Sequence, residues 1–219
     1  LFSQLQIISF YWFIKIIEFL TIFSLSKKIL TTLKEKSILI TLFISGLFEL
    51  FLSLMQLINK HSAQGIFYYF GERLLTLSTP GVAKASIQGI EFLRPYGTFS
   101  HPNSLAGFFL LLYFFVLIYK KFNRYLALKY LYLFISSILV FISFSKVAIV
   151  SFLILTTCYS IFNTKLSCRL CKIARVLVLF IVSLIFLSAS TDPLTVNKRI
   201  ELMKNSVTII MRYPIFGVG

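Results

Sequence analysis

RPYGTFSHPN, residues 94–103, runs directly into the apolar segment from Ser104 to Tyr119 and is the densest group of special residues in the chain. An arginine, a glycine, two prolines, a histidine and an asparagine stand together there. The apolar segment has about the length that an α-helix needs to cross the roughly 30 Å hydrocarbon core of a bilayer. The stretch therefore predicts a shaped loop that leads into a membrane-spanning helix.

The composition of the whole chain is typical of a membrane protein. Of its 219 residues, 58% are hydrophobic and only 13% are charged, and such a fraction exceeds what a soluble core needs. The apolar run 125–162 would form a helix about 57 Å long, so it is divided at the Ser143–Lys146 reversal. The prediction is an all-α polytopic membrane protein, a single transmembrane domain with about six spans. These spans are expected at residues 5–25, 38–58, 104–122, 125–143, 147–163 and 173–189.

The basic residues indicate how the spans are oriented. The net charge is +15, and most of the positive charge falls in three short links between predicted spans, near residues 27–36, 120–129 and 165–175. Because Lys and Arg are enriched in cytoplasmic loops, this distribution predicts that 59–103 and 190–219 are outer loops. Membrane topology therefore explains the net charge, so we expect no nucleic-acid partner. Membrane lipids are the expected surroundings of the chain.

The loop 59–103 is too long to be an idle connection. Residues 65–71 are aromatic enough to lie at headgroup level, and Ala83–Leu93 has helical potential. We expect a structured outer loop on the membrane surface. The chain begins at Leu1 and stops at Gly219 within the second expected outer loop, so we expect a fragment that has no cleavable signal peptide at its start.

A few polar residues interrupt the apolar spans. Lys15 and Glu18 are one helical turn apart, which favours a structural ion pair over a polar site. Glu49 is either a functional carboxylate or a packing group, and both readings stay open. Cys168 and Cys171 have CxxC spacing, but a zinc site needs four ligands, so we predict no metal and no cofactor.

Several cations fall on the expected outer face, where basic residues are normally rare: Arg73, Lys84, Arg94, Lys146, Lys198, Arg199, Lys204 and Arg212. An anionic ligand would explain them, because an arginine fork suits phosphate oxygens. The amino terminus of the third span adds its positive dipole end beside Arg94. Contact with lipid headgroups is the competing explanation, and we prefer it for Lys84 and Lys204.

The remaining special residues of 94–103 have loop-building roles first. Gly97 permits backbone conformations closed to other residues, Pro102 stiffens the approach, and Asn103 or Ser104 is expected to cap the third span. His101 is a candidate general base, since histidine titrates near neutrality. A hydrogen-bonding role in the turn is the favoured alternative.

Three segments resemble the signature of the O-antigen ligase and polymerase superfamily of bacterial membrane glycosyltransferases. Residues 94–107 are similar to its R-x-x-G-x-F-x-x-P-N-x-x-A motif. Residues 143–148, SFSKVA, resemble its S-x-S-R-x-A motif, with Lys146 in place of the arginine. Arg199-Ile-Glu and the later run that includes Pro214 and Gly217 resemble its second outer-loop motif, which ends P-x-x-G-x-G.

The resemblance implies a metal-independent glycan transfer from an undecaprenyl-diphosphate donor to an acceptor hydroxyl of a glycan or lipid, on a GT-C-like multi-helix bundle in the bacterial cytoplasmic membrane. By position, Arg94 and Arg199 would bind the donor diphosphate. Lys146, from the second motif, and Arg73, from the outer-face cations, are further candidates. The family's base is a histidine beyond the P-x-x-G-x-G motif, so we expect it beyond residue 219. The alternatives are a transporter or flippase of an anionic or lipid-linked substrate, and a non-catalytic scaffold.

Overall fold

The protein is mostly helical in a computed structural model that describes residues 6–87, 89–162, 169–188 and 194–213. In chain order the elements are α1 (Gln6–Thr32), α2 (Glu35–Asn59), α3 (Ile66–Tyr69), β1 (Lys84–Ile87), β2 (Ile90–Leu93), α4 (Pro102–Ile118), a 3₁₀ helix (Lys120–Tyr125), α5 (Leu126–Ile142), α6 (Lys146–Phe162), α7 (Arg169–Ser188) and α8 (Leu194–Arg212).

Three helical segments of the described residues are long and apolar enough to cross a membrane. They are Ser9–Ser26 in α1, Glu35–Asn59, which is α2, and Lys120–Ile142, which joins the 3₁₀ helix to α5. Shorter apolar helices cover Pro102–Ile118, Lys146–Ser160 and Leu177–Phe186. A 17-residue helix is about 25 Å long, at the lower limit for a span. The helices fit a membrane protein, and the number of six spans stays a prediction.

The chain divides into two compact units, residues 1–34 with 192–219 and residues 35–191. In the first unit, α1 exposes apolar side chains all round, among them Phe10, Trp12 and Phe19. Lys15 Nζ and Glu18 Oε2 on this helix are 2.7 Å apart, as the ion-pair reading predicts. Each side chain is about half exposed, so the pair can neutralise itself without a buried partner.

The second unit is built on close helix packing around Gly46 of α2. A Cβ atom at this position would lie 3.3 Å from Ile135 of α5 and 3.7 Å from Phe109 of α4. The missing side chain lets α5 approach α2 closely, which is the usual role of small residues between membrane helices. Leu105, Phe109, Leu139, Ile149 and Phe152 continue the core between α4, α5 and α6.

The third predicted span has different boundaries from those expected. The helix α4 begins at Pro102, not Ser104, and its N-cap is His101, whose Nδ1 accepts a hydrogen bond from the Asn103 N–H at 3.1 Å. The expected Asn103 or Ser104 cap is therefore wrong. Proline is favoured in the first turn because its missing N–H needs no partner there. The helix ends at Ile118 because the chain then turns through the 3₁₀ helix.

The helical prediction for Ala83–Leu93 is also wrong, because these residues form a hairpin. β1 and β2 pair antiparallel with Lys84 opposite Leu93 and Ala85 opposite Phe92. Gly89, in the short connection, has a φ of +83°, a conformation that tight hairpin turns need and that most residues avoid. Ala85 and Phe92 are buried and pack with Phe144, so tertiary contact overrides local helix propensity.

The expected second outer loop, 190–219, is not an irregular segment throughout. It contains the 19-residue helix α8, which is not among the predicted elements. Pro214 and Gly217, two expected loop-shaping residues, lie outside the described residues.

The link between α4 and α5 closes one end of the second unit. Lys121 Nζ is 3.3 Å from Glu35 Oε1 at the start of α2. Lys129, only 4% exposed, donates hydrogen bonds to the Leu117 carbonyl at 2.9 Å and to Asn123 Oδ1 at 2.7 Å. These bonds tie the first turn of α5 to the end of α4. We call this end the link end.

Candidate functional site

Arg94 connects three segments at the opposite end of the second unit, which we call the loop end. It follows β2 directly and is only 7% exposed. Its Nε donates to the Ser143 carbonyl at 2.9 Å, and an Nη donates to Asn103 Oδ1 at 2.8 Å. Arg94 thus joins the hairpin to the start of α4 and to the turn between α5 and α6.

The Gln56 carboxamide of α2 holds the loop next to Arg94. Its Oε1 accepts hydrogen bonds from the N–H groups of Tyr96 at 2.8 Å and Gly97 at 2.9 Å. Its Nε2 donates to the Gly97 carbonyl at 3.1 Å and to Glu72 Oε1 at 2.8 Å. Gln56 is 1% exposed, so one buried side chain satisfies several backbone groups that water does not reach.

Glu49, two helical turns earlier on α2, holds the next residue of the loop. Its carboxylate accepts hydrogen bonds from the Thr98 N–H at 3.1 Å and from the Thr98 hydroxyl. Gly97 has a φ of +57°, and a Cβ atom there would collide with the Glu49 carboxylate. The close approach of loop and helix therefore needs glycine at 97, both for its conformation and for space. We call Glu49 and Gln56 together the α2 clasp.

The α2 clasp explains how a loop backbone can lie beside the interior of an apolar helix. Glu49 is ten residues before the last residue of α2, about 15 Å along the helix axis. At such depth in a span, irregular backbone is tolerated only where protein groups satisfy its N–H and C=O groups. The N–H groups of residues 96–98 all bond to the clasp.

Glu72 extends the same network to the first part of the loop. It is 2% exposed, and its carboxylate accepts hydrogen bonds from the Ala63 N–H at 2.7 Å and the Gln64 N–H at 2.6 Å. Since Glu72 also bonds to Gln56, it couples the start of the loop to α2. Glu72 is a structural carboxylate, satisfied by backbone donors rather than left open to a ligand.

The turn between α5 and α6 lies where the sequence predicted a reversal. The Ser143 hydroxyl donates to the Val140 carbonyl at 2.7 Å and accepts from the Ser145 N–H at 3.2 Å. Phe144 has a φ of +52° and packs edge-on against Phe92 of the hairpin, with ring centroids 5.0 Å apart. This turn exposes Lys146 at the first position of α6.

The other predicted cations are distributed unevenly. Arg73 is exposed, and its guanidinium donates to the Ser100 carbonyl at 3.1 Å, which places it at the loop end. Lys84 pairs with Glu91 across the hairpin at 3.6 Å. Lys204 and Arg212 are exposed on α8. Arg199 also falls within α8, in the first unit, and its side chain lies outside the described residues.

His101 has a structural role in the loop. Its Nδ1 caps α4 as described above, and its ring stands edge-on to Tyr96 with centroids 5.9 Å apart. This geometry agrees with the turn-forming alternative and uses one ring nitrogen as a backbone acceptor. Within the described ranges, no group of three or more His, Cys, Asp or Glu side chains is arranged to hold a metal ion.

Neither Gln56 nor Glu72 is among the site residues predicted from the sequence, although the sequence contains a signal for Gln56. Gly46, Glu49, Ser53 and Gln56 are small or polar residues at alternating spacings of three and four in a mostly apolar helix, and all are buried. Such spacing places them on one face of α2. A polar face on a predicted span indicates that it faces other protein groups instead of lipid.

The chain has no match among protein-family models, curated proteins or solved structures.

Proposed function

We propose that the protein is a membrane glycosyltransferase of the O-antigen ligase or polymerase type. It transfers a glycan from an undecaprenyl-diphosphate donor to an acceptor hydroxyl at the outer face of the bacterial cytoplasmic membrane. In this proposal the chain supplies about six spans of a GT-C-like bundle, with the loops 59–103 and 190–219 on the outer side. The reaction uses cations of the protein in place of a metal ion.

The contact between Arg94 and Ser143 carries the proposal. Arg94 and Ser143 begin two of the three segments that resemble the superfamily signature, and they are 49 residues apart in the chain. In the fold, Arg94 Nε lies 2.9 Å from the Ser143 carbonyl oxygen. The resemblance depends on sequence alone and does not require such a contact. A common functional region gives a reason for both motifs to stand at the same end of the second unit.

The residues at the loop end suit a diphosphate leaving group. Arg73 and Lys146 are exposed there, and Arg94 adds a third cation beside the first turn of α4. Charge that develops on the departing diphosphate is stabilised by fixed cations and helix amino termini. For Arg199, the assignment to the donor diphosphate rests on the resemblance alone. His101, whose Nδ1 caps α4, is not assigned as the base for the acceptor hydroxyl.

The test is glycan transfer by the purified full-length protein in detergent, with an undecaprenyl-diphosphate-linked donor. Arg94→Ala and Arg199→Ala should each lower the transfer rate by about 10²-fold or more, as expected for loss of a group that stabilises developing charge. Lys84→Ala is the matched control, because Lys84 is an exposed cation already paired with Glu91, and it should retain the wild-type rate.

Thermal unfolding of each variant shows whether a lower transfer rate comes from loss of catalysis or from loss of the folded state. Arg94 also links structural segments, so Lys146→Ala, which changes an exposed side chain at the same end of the second unit, keeps the test decisive. Wild-type transfer by folded Arg94→Ala and Arg199→Ala proteins would refute the proposal. Movement of the lipid-linked donor across proteoliposomes without transfer would instead support the transporter or flippase class.

A further inference from the structure

We infer that α8 lies along the surface of an anionic lipid bilayer, with one apolar face inserted at the headgroup level. The inference does not depend on the proposed glycan transfer. Four apolar residues define this face: Ile200, Met203, Val207 and Ile210, which we call the α8 stripe. Their spacings of three and four residues place them on one side of the helix. They are 46%, 66%, 45% and 62% exposed.

The charges of α8 are arranged around the stripe in a way that suits a lipid surface. At about 100° per residue, Lys204 lies about 80° from the centre of the stripe, and position 199 borders its other side. A lysine there can lay its aliphatic stem along the apolar face while its ammonium group reaches the phosphates. Glu201 lies on the far side of the helix, away from anionic headgroups.

The remaining far side is mainly polar and includes Asn205, Thr208 and Arg212. Leu202 and Ile209 are apolar exceptions there. The helix contains four basic residues and one acidic residue, so its overall charge is complementary to anionic lipid. A one-sided apolar stripe with basic residues at its borders is the pattern of helices that lie in the interface plane.

The contrast with α1 argues against α8 as another span. α1 is apolar on all sides and contains a segment that qualifies as a span, Ser9–Ser26. α8 is not among the apolar helices of the described residues, and burial of its several charged groups at mid-bilayer would be costly. The apolar helices of this same chain place a bilayer beside it, which favours lipid over a separate protein as the occupant of the stripe.

The experiment measures how deeply single positions of α8 lie in a bilayer. In the full chain, Cys158, Cys168 and Cys171 are replaced by serine, and one cysteine is introduced by Met203→Cys, Val207→Cys or Asn205→Cys. Each protein carries a nitroxide label and is placed in nanodiscs of neutral phosphatidylcholine or of phosphatidylcholine with phosphatidylglycerol. Collision rates with oxygen and with a water-soluble nickel chelate give the depth of the label.

Labels at 203 and 207 should lie about 5–10 Å below the headgroup surface, whereas the label at 205 should be accessible to the nickel chelate. Insertion should be greater with phosphatidylglycerol, and Lys204→Gln should reduce that lipid dependence. Circular dichroism checks that each labelled protein keeps its helix content. Equal water accessibility at all three positions would overturn the inference, as would stripe labels shielded from both reagents, which would indicate a protein partner.

Discussion

At the loop end of the second unit, α2 side chains hold a long irregular segment, whereas at the link end Lys129 holds a short helical connection. The loop end uses buried acceptors, Glu49, Gln56 and Glu72, to satisfy backbone N–H groups. The link end uses one buried donor, Lys129, to satisfy a helix-terminal carbonyl. Any helix that ends in a protein interior has terminal carbonyl groups that need such a donor.

The loop end instead fixes backbone that belongs to no helix or strand. A loop that is fixed by buried side chains of a rigid helix can present its own groups with defined geometry. The α2 clasp fixes residues 96–98, directly between Arg94 and the start of α4. This protein thus positions a particular loop at one end of the second unit, while the other end only completes a turn.

Removal of the Gln56 carboxamide should have the largest effect on stability. Gln56→Ala leaves the buried N–H groups of Tyr96 and Gly97 without an acceptor, at a cost of about 1–3 kcal/mol for each. We expect the free energy of unfolding to fall by about 3 kcal/mol, which lowers the Tm by roughly 6–12 °C for a protein of this size. Thermal unfolding in detergent, followed by circular dichroism, measures the shift.

Gln64→Ala is the matched control for this prediction. Gln64 is partly exposed, and its side chain makes a longer hydrogen bond, 3.3 Å to the Ser62 hydroxyl. Its loss should shift the Tm by much less than the Gln56 change. Equal shifts for the two variants would mean that the clasp does not hold the loop.

The sequence predicted the helices of the second unit better than it predicted their polar contacts. The apolar runs and the reversal at Ser143–Lys146 follow from length and hydrophobicity, which depend on local composition. The role of Gln56 depends on a loop 40 residues away in the chain, and no local pattern names that partner. The polar face of α2 indicates that some partner exists, which is the limit of what its spacing can predict.

The hairpin and the cap of α4 show two further reasons why the structure differs from the sequence predictions. Ala83–Leu93 has residues that tolerate a helix, but the buried contact of Phe92 with Phe144 stabilises a strand instead. His101 displaced Asn103 as the cap because Pro102 fits the first helical position. For Arg94, the sequence indicated a cation beside a helix terminus, and its bond to the Ser143 carbonyl emerged only from the fold.

Loss of the Lys129 ammonium group should have an intermediate effect at the link end. Lys129→Met keeps most of the side-chain volume but leaves the Leu117 carbonyl and Asn123 Oδ1 without this donor. Because a carbonyl has other ways to be satisfied near a helix end, we expect a cost of about 1–2 kcal/mol, smaller than that of Gln56→Ala. The same thermal unfolding measurement applies.

Lys120→Met serves as the control, since Lys120 is an exposed cation of the same short link. It should leave the Tm unchanged. A larger loss for Lys129→Met than for Gln56→Ala would reverse the comparison and place the main polar anchor of the unit at the link end.

The smallest effect should come from Glu35→Gln, which breaks the ion pair with Lys121 at the link end. The Glu35 side chain is 38% exposed and the Lys121 side chain is 66% exposed. Water and salt therefore screen their attraction. We expect no measurable shift in Tm at physiological ionic strength.

Glu91→Gln is the counterpart at the loop end, because it breaks the exposed pair with Lys84, and it should behave in the same way. If both variants are neutral while Gln56→Ala and Lys129→Met are not, burial decides the stability effect at either end. A large loss from Glu91→Gln alone would instead show that the hairpin, more than the α2 clasp, holds the loop in place.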